Sequence, residues 1–393
     1  MATGRLVERM QSFGTTIFAE MSALARAHDA VNLGQGFPDT DGPDEVLEAA
    51  VAAIRSGHNQ YPPGRGIPEL LDAVAAHQKR WYGVDLDPTT EVLITAGATE
   101  AIAASLTALA GPGDEVLMFE PYYDSYAACV ALGGATRRCV TLRAPDFAVD
   151  LDELRAAVSP RTRVVLLNSP HNPTGKVFTR GELEAIAAVC IEHDLVAITD
   201  EVYEHLVYDG QHVPLSTLPG MRERTVTISS AAKTFSVTGW KVGWVSGPAE
   251  LVSAVLTVKQ FLTYVNAAPL QPAVAAALAL PDAYFDQLRD SHRDRRDRLV
   301  AGLRGAGLTT FVPAGTYFVT TDIASIGERD GLAFCRELPA RIGVAAVPEA
   351  VFYDDTEAGR SLVRFAFCKR PELIDEGVRR LAGLATARAG QPG

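Results

Sequence analysis

At 393 residues and 41.9 kDa, with 47% hydrophobic and 21% charged residues, the chain has ordinary globular composition and is too long for one small core. A formal net charge of −12 argues against non-specific nucleic-acid binding and against docking on an anionic membrane. Five cysteines, an odd number without CxxC spacing, read as small buried hydrophobes in a reducing compartment, not as a disulfide framework or a metal site.

The opening stretch, MATGRLVERMQSFG, carries charge without the apolar core of a secretory signal. From about residue 91, strand-like and helix-like stretches alternate. EVLITAG is β-branched and bounded by Gly, and TEAIAASLTALA has helical composition and stops at the turn signal GPGD. EVLMFEP reads as a strand, SYAACVALGG as a helix and ATRRCVTL as a strand. DLDELRAAVS has a helical apolar pattern with Asp150 as its N-cap. RTRVVLLNSP and LVAITDE are short apolar runs on either side of the helical RGELEAIAAVCIEHD, and TVTISSAAK and KVGWVSG add two more strands.

Such runs suit strands covered on both faces, which predicts an α/β domain with a mostly parallel sheet and right-handed crossovers. The most apolar run, AAPLQPAVAAALALP, is interrupted by Pro269, Gln271 and Pro272 and is too short to span a bilayer. A soluble cytoplasmic protein is expected. From about residue 285 the chain becomes the Arg/Asp-rich helix DSHRDRRDRLVAGLRGAG and then shorter strands. The expected division is an amino-terminal arm with part of a small domain (1–44), a large domain (45–284) and a small carboxyl-terminal domain (285–393).

In α/β sheets ligands bind beyond the carboxyl ends of strands. Three polar clusters fall there: Asn168 to Gly175, Asp200 to Tyr203, and Ser229 to Lys233. The stretch SSAAKTFSVTGWKVGW holds two of only six lysines, whereas 30 basic residues are arginine. Lys, unlike Arg, can lose its proton when desolvated and attack a carbonyl carbon. A cofactor held as a lysine imine, pyridoxal phosphate, needs that Lys, a carboxylate at its pyridine nitrogen, and donors for its phosphate and phenolate oxygens.

Each requirement has a candidate. Lys233 follows a strand and two alanines, with Ser230 and Lys241 nearby to serve a phosphate. Asp200 ends an apolar strand and suits a protonated pyridine nitrogen; a turn or N-cap role competes. Tyr203 and Asn172 offer donors to the phenolate oxygen, against the plainer readings of a packing Tyr and an Asn-Pro turn. Gly97, Ala98 and Thr99 stand where a helix begins, with free N–H groups for phosphate. Tyr123 could stack on the ring or belong to the core. Arg364, between apolar residues in LVRFAF, needs an anion: a substrate carboxylate or an internal ion pair.

With these residues in place, the chain resembles the class I aminotransferases of pyridoxal-phosphate fold type I. The resemblance runs nearly the whole length, through NLGQGFPD, NQYPPGRG, EPYYDSY, NSPHNPTGKVF, DEVYEHLVYDG, SSAAKTFSVTGWKVGW, GTYF and LVRFAFCKR, in family order. It is most similar to the branch holding kynurenine and glutamine transaminases, methionine-type aminotransferases and bacterial N-succinyldiaminopimelate aminotransferases. DGP, TAGATEAIAA and SSAAK lean toward the last group. Many class I members carry Arg where this chain has Lys241; Lys there is the habit of this branch.

The resemblance implies a large domain with a mostly parallel seven-stranded sheet beside a smaller α+β domain. It implies catalysis by Lys233, Asp200 and Tyr203, with Lys233 as the Schiff-base lysine and proton shuttle. Asp200 would meet the pyridine nitrogen, and Asn172 and Tyr203 the phenolate oxygen. Gly97, Ala98, Thr99, Ser230 and Lys241 would hold the phosphate, with Tyr123 stacked on the ring. Arg364, Asn172 and the Gly36 backbone would take the substrate carboxylate, and Phe18 would line the side-chain pocket. Tyr61 would reach the phosphate of the neighbouring subunit, so a homodimer with shared active sites is expected.

The implied reaction is ping-pong transfer of an amino group from an amino acid to a 2-oxo acid such as 2-oxoglutarate. N-succinyl-LL-diaminopimelate and aromatic, methionine-type or glutamine-type donors all fit; no second Arg stands out for a distal carboxylate, which weakens an aspartate-specific reading. The alternative is a pyridoxal-phosphate-dependent cysteine-S-conjugate β-lyase, which would release pyruvate and ammonia without an acceptor. A non-catalytic regulator would need a basic DNA-binding module, for which neither terminus has room or charge.

Overall fold

The computed structural model describes residues 6–14 and 16–389; residues 1–5 of the opening stretch, Thr15 and residues 390–393 of the expected small domain lie outside the described residues. Strand β1 (Val31–Asn32) lies near the amino end. Seven strands follow: β2 (Val92–Thr95), β3 (Glu115–Glu120), β4 (Thr136–Thr141), β5 (Thr162–Asn168), β6 (Val196–Asp200), β7 (Thr225–Ser230) and β8 (Gly243–Ser246). Five more complete the set: β9 (Thr309–Phe311), β10 (Phe318–Asp322), β11 (Val344–Ala345), β12 (Val347–Pro348) and β13 (Leu362–Ala366).

Strands β2 to β8 form one seven-stranded sheet in the order β2-β8-β7-β6-β5-β3-β4. All neighbours are parallel except β8, which runs antiparallel to both β2 and β7. The apolar runs are buried on both faces, as parallel strands must be. Along β5, Val164 and Leu166 enter one core while Val165 and Leu167 enter the other. Each such side chain contributes about 1.5–3 kcal/mol when removed from water.

Helices close both faces. Helix Gly97–Leu109 packs against helices Asp124–Gly133 and Ala249–Leu262, and helix Arg180–Glu192 supplies Leu183, Ile186 and Ala187 to the opposite core. That helix starts with a capping box: Thr179 Oγ1 accepts from the Glu182 N–H at 3.2 Å, and the Thr179 N–H donates to Glu182 Oε2 at 2.8 Å. Asp150 caps Leu151–Ala156 as expected, accepting from the N–H groups of Asp152 and Glu153.

Strands β12, β13, β10 and β9 form a separate antiparallel sheet in that order, and β1 pairs with β11 in parallel. Helices Ile17–Ala27, Asp282–Gly305, Gly331–Ile342 and Pro371–Ala389 pack around these strands. The amino-terminal segment thus joins the carboxyl-terminal one in a single core running from Met21 to Leu384. Residues 284 and 285 lie inside helix Asp282–Gly305. Cys129, Cys190, Cys335 and Cys368 are buried and Cys139 is half-buried. Among the described residues no helix is long and apolar enough to cross a membrane.

Candidate active site

A cavity of about 300 Å³ opens where β5, β6 and β7 end and helix Gly97–Leu109 begins. The parallel register sets its floor: Asn168 pairs with Asp200, and Asp200 with Ile228, so β5 and β6 stop together and β7 runs two residues further, to Ser230. Lys233 sits in the single turn Ala231–Thr234 that follows β7. Its Nζ lies 5.9 Å from the centre of the Tyr203 ring and 5.8 Å from that of Tyr317. Burial pushes its pKa down to about 8, with Lys241 and Arg364 acting in the same direction.

Asp200 is 4% exposed. Tyr126 donates its hydroxyl to Oδ2 at 2.6 Å, and the Val202 N–H reaches Oδ1 at 3.3 Å. The turn role weighed from sequence is therefore present on one oxygen. Burial holds the pKa above the usual carboxylate range, opposed first by the Tyr126 hydrogen bond. Among the described residues Asp200 forms no ion pair. A buried carboxylate in that state suits a cationic ring nitrogen.

The anion end of the cavity is built from close backbone contacts. Gly97 has φ +74°, where a side chain is strained, and a Cβ there would stand 3.1 Å from Lys241 Nζ. A Cβ on Gly243 of β8 would fall 2.7 Å from the Gly97 carbonyl carbon and 2.9 Å from the Ala98 nitrogen. Glycine at both positions lets the helix start, carrying Ala98 and Thr99, settle against β8 and Lys241. The N-cap Ala96 has no side chain to cap the first turn, and Glu100 Oε2 takes only the Ala96 N–H at 2.6 Å, which leaves first-turn N–H groups for an anion. Ser230 ends β7 without a capping bond from its side chain and also lines the cavity.

Arg364, in β13, is 1% exposed and reaches across from the antiparallel sheet. Nη1 donates to Asn172 Oδ1 at 2.8 Å and Nη2 to the Gly34 carbonyl at 3.2 Å. The guanidinium carbon lies 4.0 Å from the Phe318 ring centre and 5.3 Å from those of Phe18 and Phe352. Among the described residues no carboxylate pairs with it, so the internal ion pair considered from sequence is not formed. The Asn172 N–H is fixed by Asn168 Oδ1 at 2.7 Å. With its Oδ1 taken by Arg364, Asn172 has Nδ2 as the arm left for a ligand. The Gly36 carbonyl accepts from the Tyr317 hydroxyl at 2.6 Å, and Tyr123 sits edge-on to Tyr126 with ring centres 5.7 Å apart.

Thirteen of the fourteen residues singled out from sequence line this cavity: Phe18, Gly36, Gly97, Ala98, Thr99, Tyr123, Asn172, Asp200, Tyr203, Ser230, Lys233, Lys241 and Arg364. Tyr61 does not; it is 81% exposed and stands edge-on to Tyr264 at 5.4 Å. Asn168, the first residue of one strand-end cluster, lines it too; sequence reasoning missed Tyr126, Gln35, Ile102 and Phe318, which also line it. Tyr126 lies one helical turn past Tyr123 in EPYYDSY, a spacing that places both on one face.

The chain matches the family model described as aminotransferase class I and II over residues 28–381. It is 54% identical over 391 residues to a Mycobacterium tuberculosis protein named "probable N-succinyldiaminopimelate aminotransferase", covering 96% of this chain and 98% of that one. It is 40% identical over 377 residues to the methionine aminotransferase of Escherichia coli, covering 96% and 97%. The solved structure of N-succinyldiaminopimelate aminotransferase from Mycobacterium tuberculosis superposes with a TM-score of 0.95 at 55% identity, covering 97% of this chain and all of that one.

Proposed function

The chain belongs to the class I and II aminotransferases, and on that premise we propose that it uses pyridoxal phosphate held at Lys233, with N-succinyl-LL-diaminopimelate as its preferred amino donor. As an aminotransferase it works on an amino acid and a 2-oxo acid. The observation that carries the cofactor reading is Asp200: a buried carboxylate that forms no ion pair among the described residues, in the same cavity as the desolvated amine of Lys233.

When bound, this cofactor supplies an electrophilic carbon for amino exchange and a conjugated ring that takes up the electron pair left at the substrate Cα. The residues divide the rest. Asp200 keeps a positive charge at the end of β6, and Tyr126 orients its carboxylate. Tyr203 and Asn172 Nδ2 offer donors to a ring oxygen, and Tyr123 a face to the ring. Lys241 Nζ, Ser230 Oγ and the N–H groups of Ala98 and Thr99, approached closely because Gly97 has no side chain, neutralise and hold a phosphate. Arg364 and the Gly36 backbone take the substrate carboxylate, with Phe18 beside them. Lys233 Nζ, its basicity lowered into the working pH range, takes the proton from the substrate Cα and returns it.

The donor assignment is supported by the 54% identical relative. Purified protein assayed with N-succinyl-LL-diaminopimelate, methionine, glutamine and aromatic amino acids against 2-oxoglutarate and pyruvate tests it. The succinylated donor should give the highest kcat/KM; a higher value for another donor would reassign the substrate.

A homodimer accompanies this reading. Tyr61, Phe261, Leu262 and Tyr264 are large exposed apolar side chains, and a second copy covering them would bring Tyr61 toward a partner's cavity. Sedimentation at single-chain mass would overturn it. The division at residues 44 and 284, and a cytoplasmic location, belong to the same reading.

A further inference from the structure

Glu349 is a charged group that the chemistry above does not use. It opens the short turn Glu349–Phe352 and is fully buried. Its Oε1 accepts from the Thr320 hydroxyl at 2.6 Å, while Oε2 is buried without a partner among the described residues. Arg364 has the complementary defect, a buried Nε–H without an acceptor among the described residues. Thr320 and Arg364 stand directly opposite each other in the β10–β13 ladder, and opposed residues of an antiparallel pair project on the same face. Thr320 thus ties Glu349 to the face of the sheet that carries the guanidinium.

Burial raises the Glu349 pKa to about 7, with Arg364 pulling the other way. The other titratable groups that face it are Cys335, on helix Gly331–Ile342, and Tyr353; burial keeps both protonated and neutral. Arg364 is the one cation among these neighbours.

Resting on the assignment of Arg364 to the substrate carboxylate, we propose that Glu349 is a positioning residue that balances Arg364 when no substrate carboxylate is bound and takes a proton from solvent when one arrives. Asp124 also acts on the guanidinium, so a substrate carboxylate arriving beside Glu349 leaves a surplus of negative charge there, and an apolar interior removes such a surplus by protonation. The bound enzyme then holds one more proton than the free enzyme. By reciprocity, affinity for the carboxylate falls as pH rises through neutrality, by up to about tenfold per pH unit.

The test is calorimetric titration of the cofactor-loaded enzyme with hydrocinnamate, a carboxylate without an amino group. It is run in two buffers of different ionisation heat, from about pH 6 to about pH 9. The cofactor's visible band, followed in parallel, reports protonation at Lys233 separately. Expected is uptake approaching one proton per ligand near about pH 8, lost in Glu349→Gln, whose affinity becomes nearly independent of pH. No uptake by the native enzyme, or equal uptake by Glu349→Gln, overturns the inference, while a loss of about tenfold or more in Arg364→Ala affinity leaves the carboxylate site standing. Unchanged binding by Arg364→Ala removes that site and this inference together.

Discussion

Arg364 Nη1 donates to Asn172 Oδ1 at 2.8 Å, so the antiparallel sheet and the loop leaving β5 meet in one buried hydrogen bond inside the cavity. A hydrogen bond from a charged donor is worth about 1.5–3 kcal/mol. Asn172→Ala should therefore raise KM for both substrates by about ten- to a hundredfold, because the guanidinium loses its register. Asn172→Asp should do at least as much harm, since its carboxylate would compete with the substrate for Arg364. Steady-state kinetics check both, and an unchanged KM in either variant would contradict the assignment.

Asp200→Asn keeps the shape of the side chain and removes its charge. Preorganised electrostatic groups typically supply about 10²–10³ in rate. A fall in kcat of that size is expected, with weaker cofactor retention. Tyr126→Phe removes only the 2.6 Å hydrogen bond to Oδ2 and should cost about tenfold. Retention of near-native turnover by Asp200→Asn would contradict the role given to it.

The lowered basicity of Lys233 has a pH signature. Only the neutral amine attacks a carbonyl, and the neutral fraction grows as pH rises through the group's pKa. Capture of pyridoxal phosphate by the cofactor-free protein should speed up through about pH 8 and then level off. An ordinary lysine would keep gaining until about 10.4. Stopped-flow absorbance across this range separates the two.

Gly243→Ala places a Cβ 2.7 Å from the Gly97 carbonyl carbon, a backbone atom that cannot swing aside. Overpacking of this kind costs about 1–3 kcal/mol. The cost should fall on the anion end of the cavity, so cofactor dissociation should rise by about tenfold or more alongside a lower denaturant midpoint. Equal cofactor affinity in the variant would mean that the helix start is not part of the phosphate site.

Much of this arrangement is legible locally. Lys233 stands out because the chain otherwise uses Arg, and Asp200 because it interrupts an apolar run at its end. The parallel strands, apart from the edge strand β4, announce themselves by continuous apolar runs. What stays hidden is long-range. KVGWVSG reads as a strand, but its antiparallel direction is not written in it: the chain between β7 and β8 forms the short turns that carry Lys233 and Lys241 and returns beside β7 without crossing the sheet. Tyr126 matters only because the helix after β3 leans over the end of β6, two strands away. The aromatic setting of Arg364 comes from Phe18, Phe318 and Phe352, three segments that only the fold brings together.

The most direct measurement is chemical. Purified protein loaded with pyridoxal phosphate, reduced with borohydride and digested, should yield one modified peptide by mass spectrometry, with the cofactor fixed to Lys233. A cofactor adduct on any other of the six lysines, or none at all, would contradict the account.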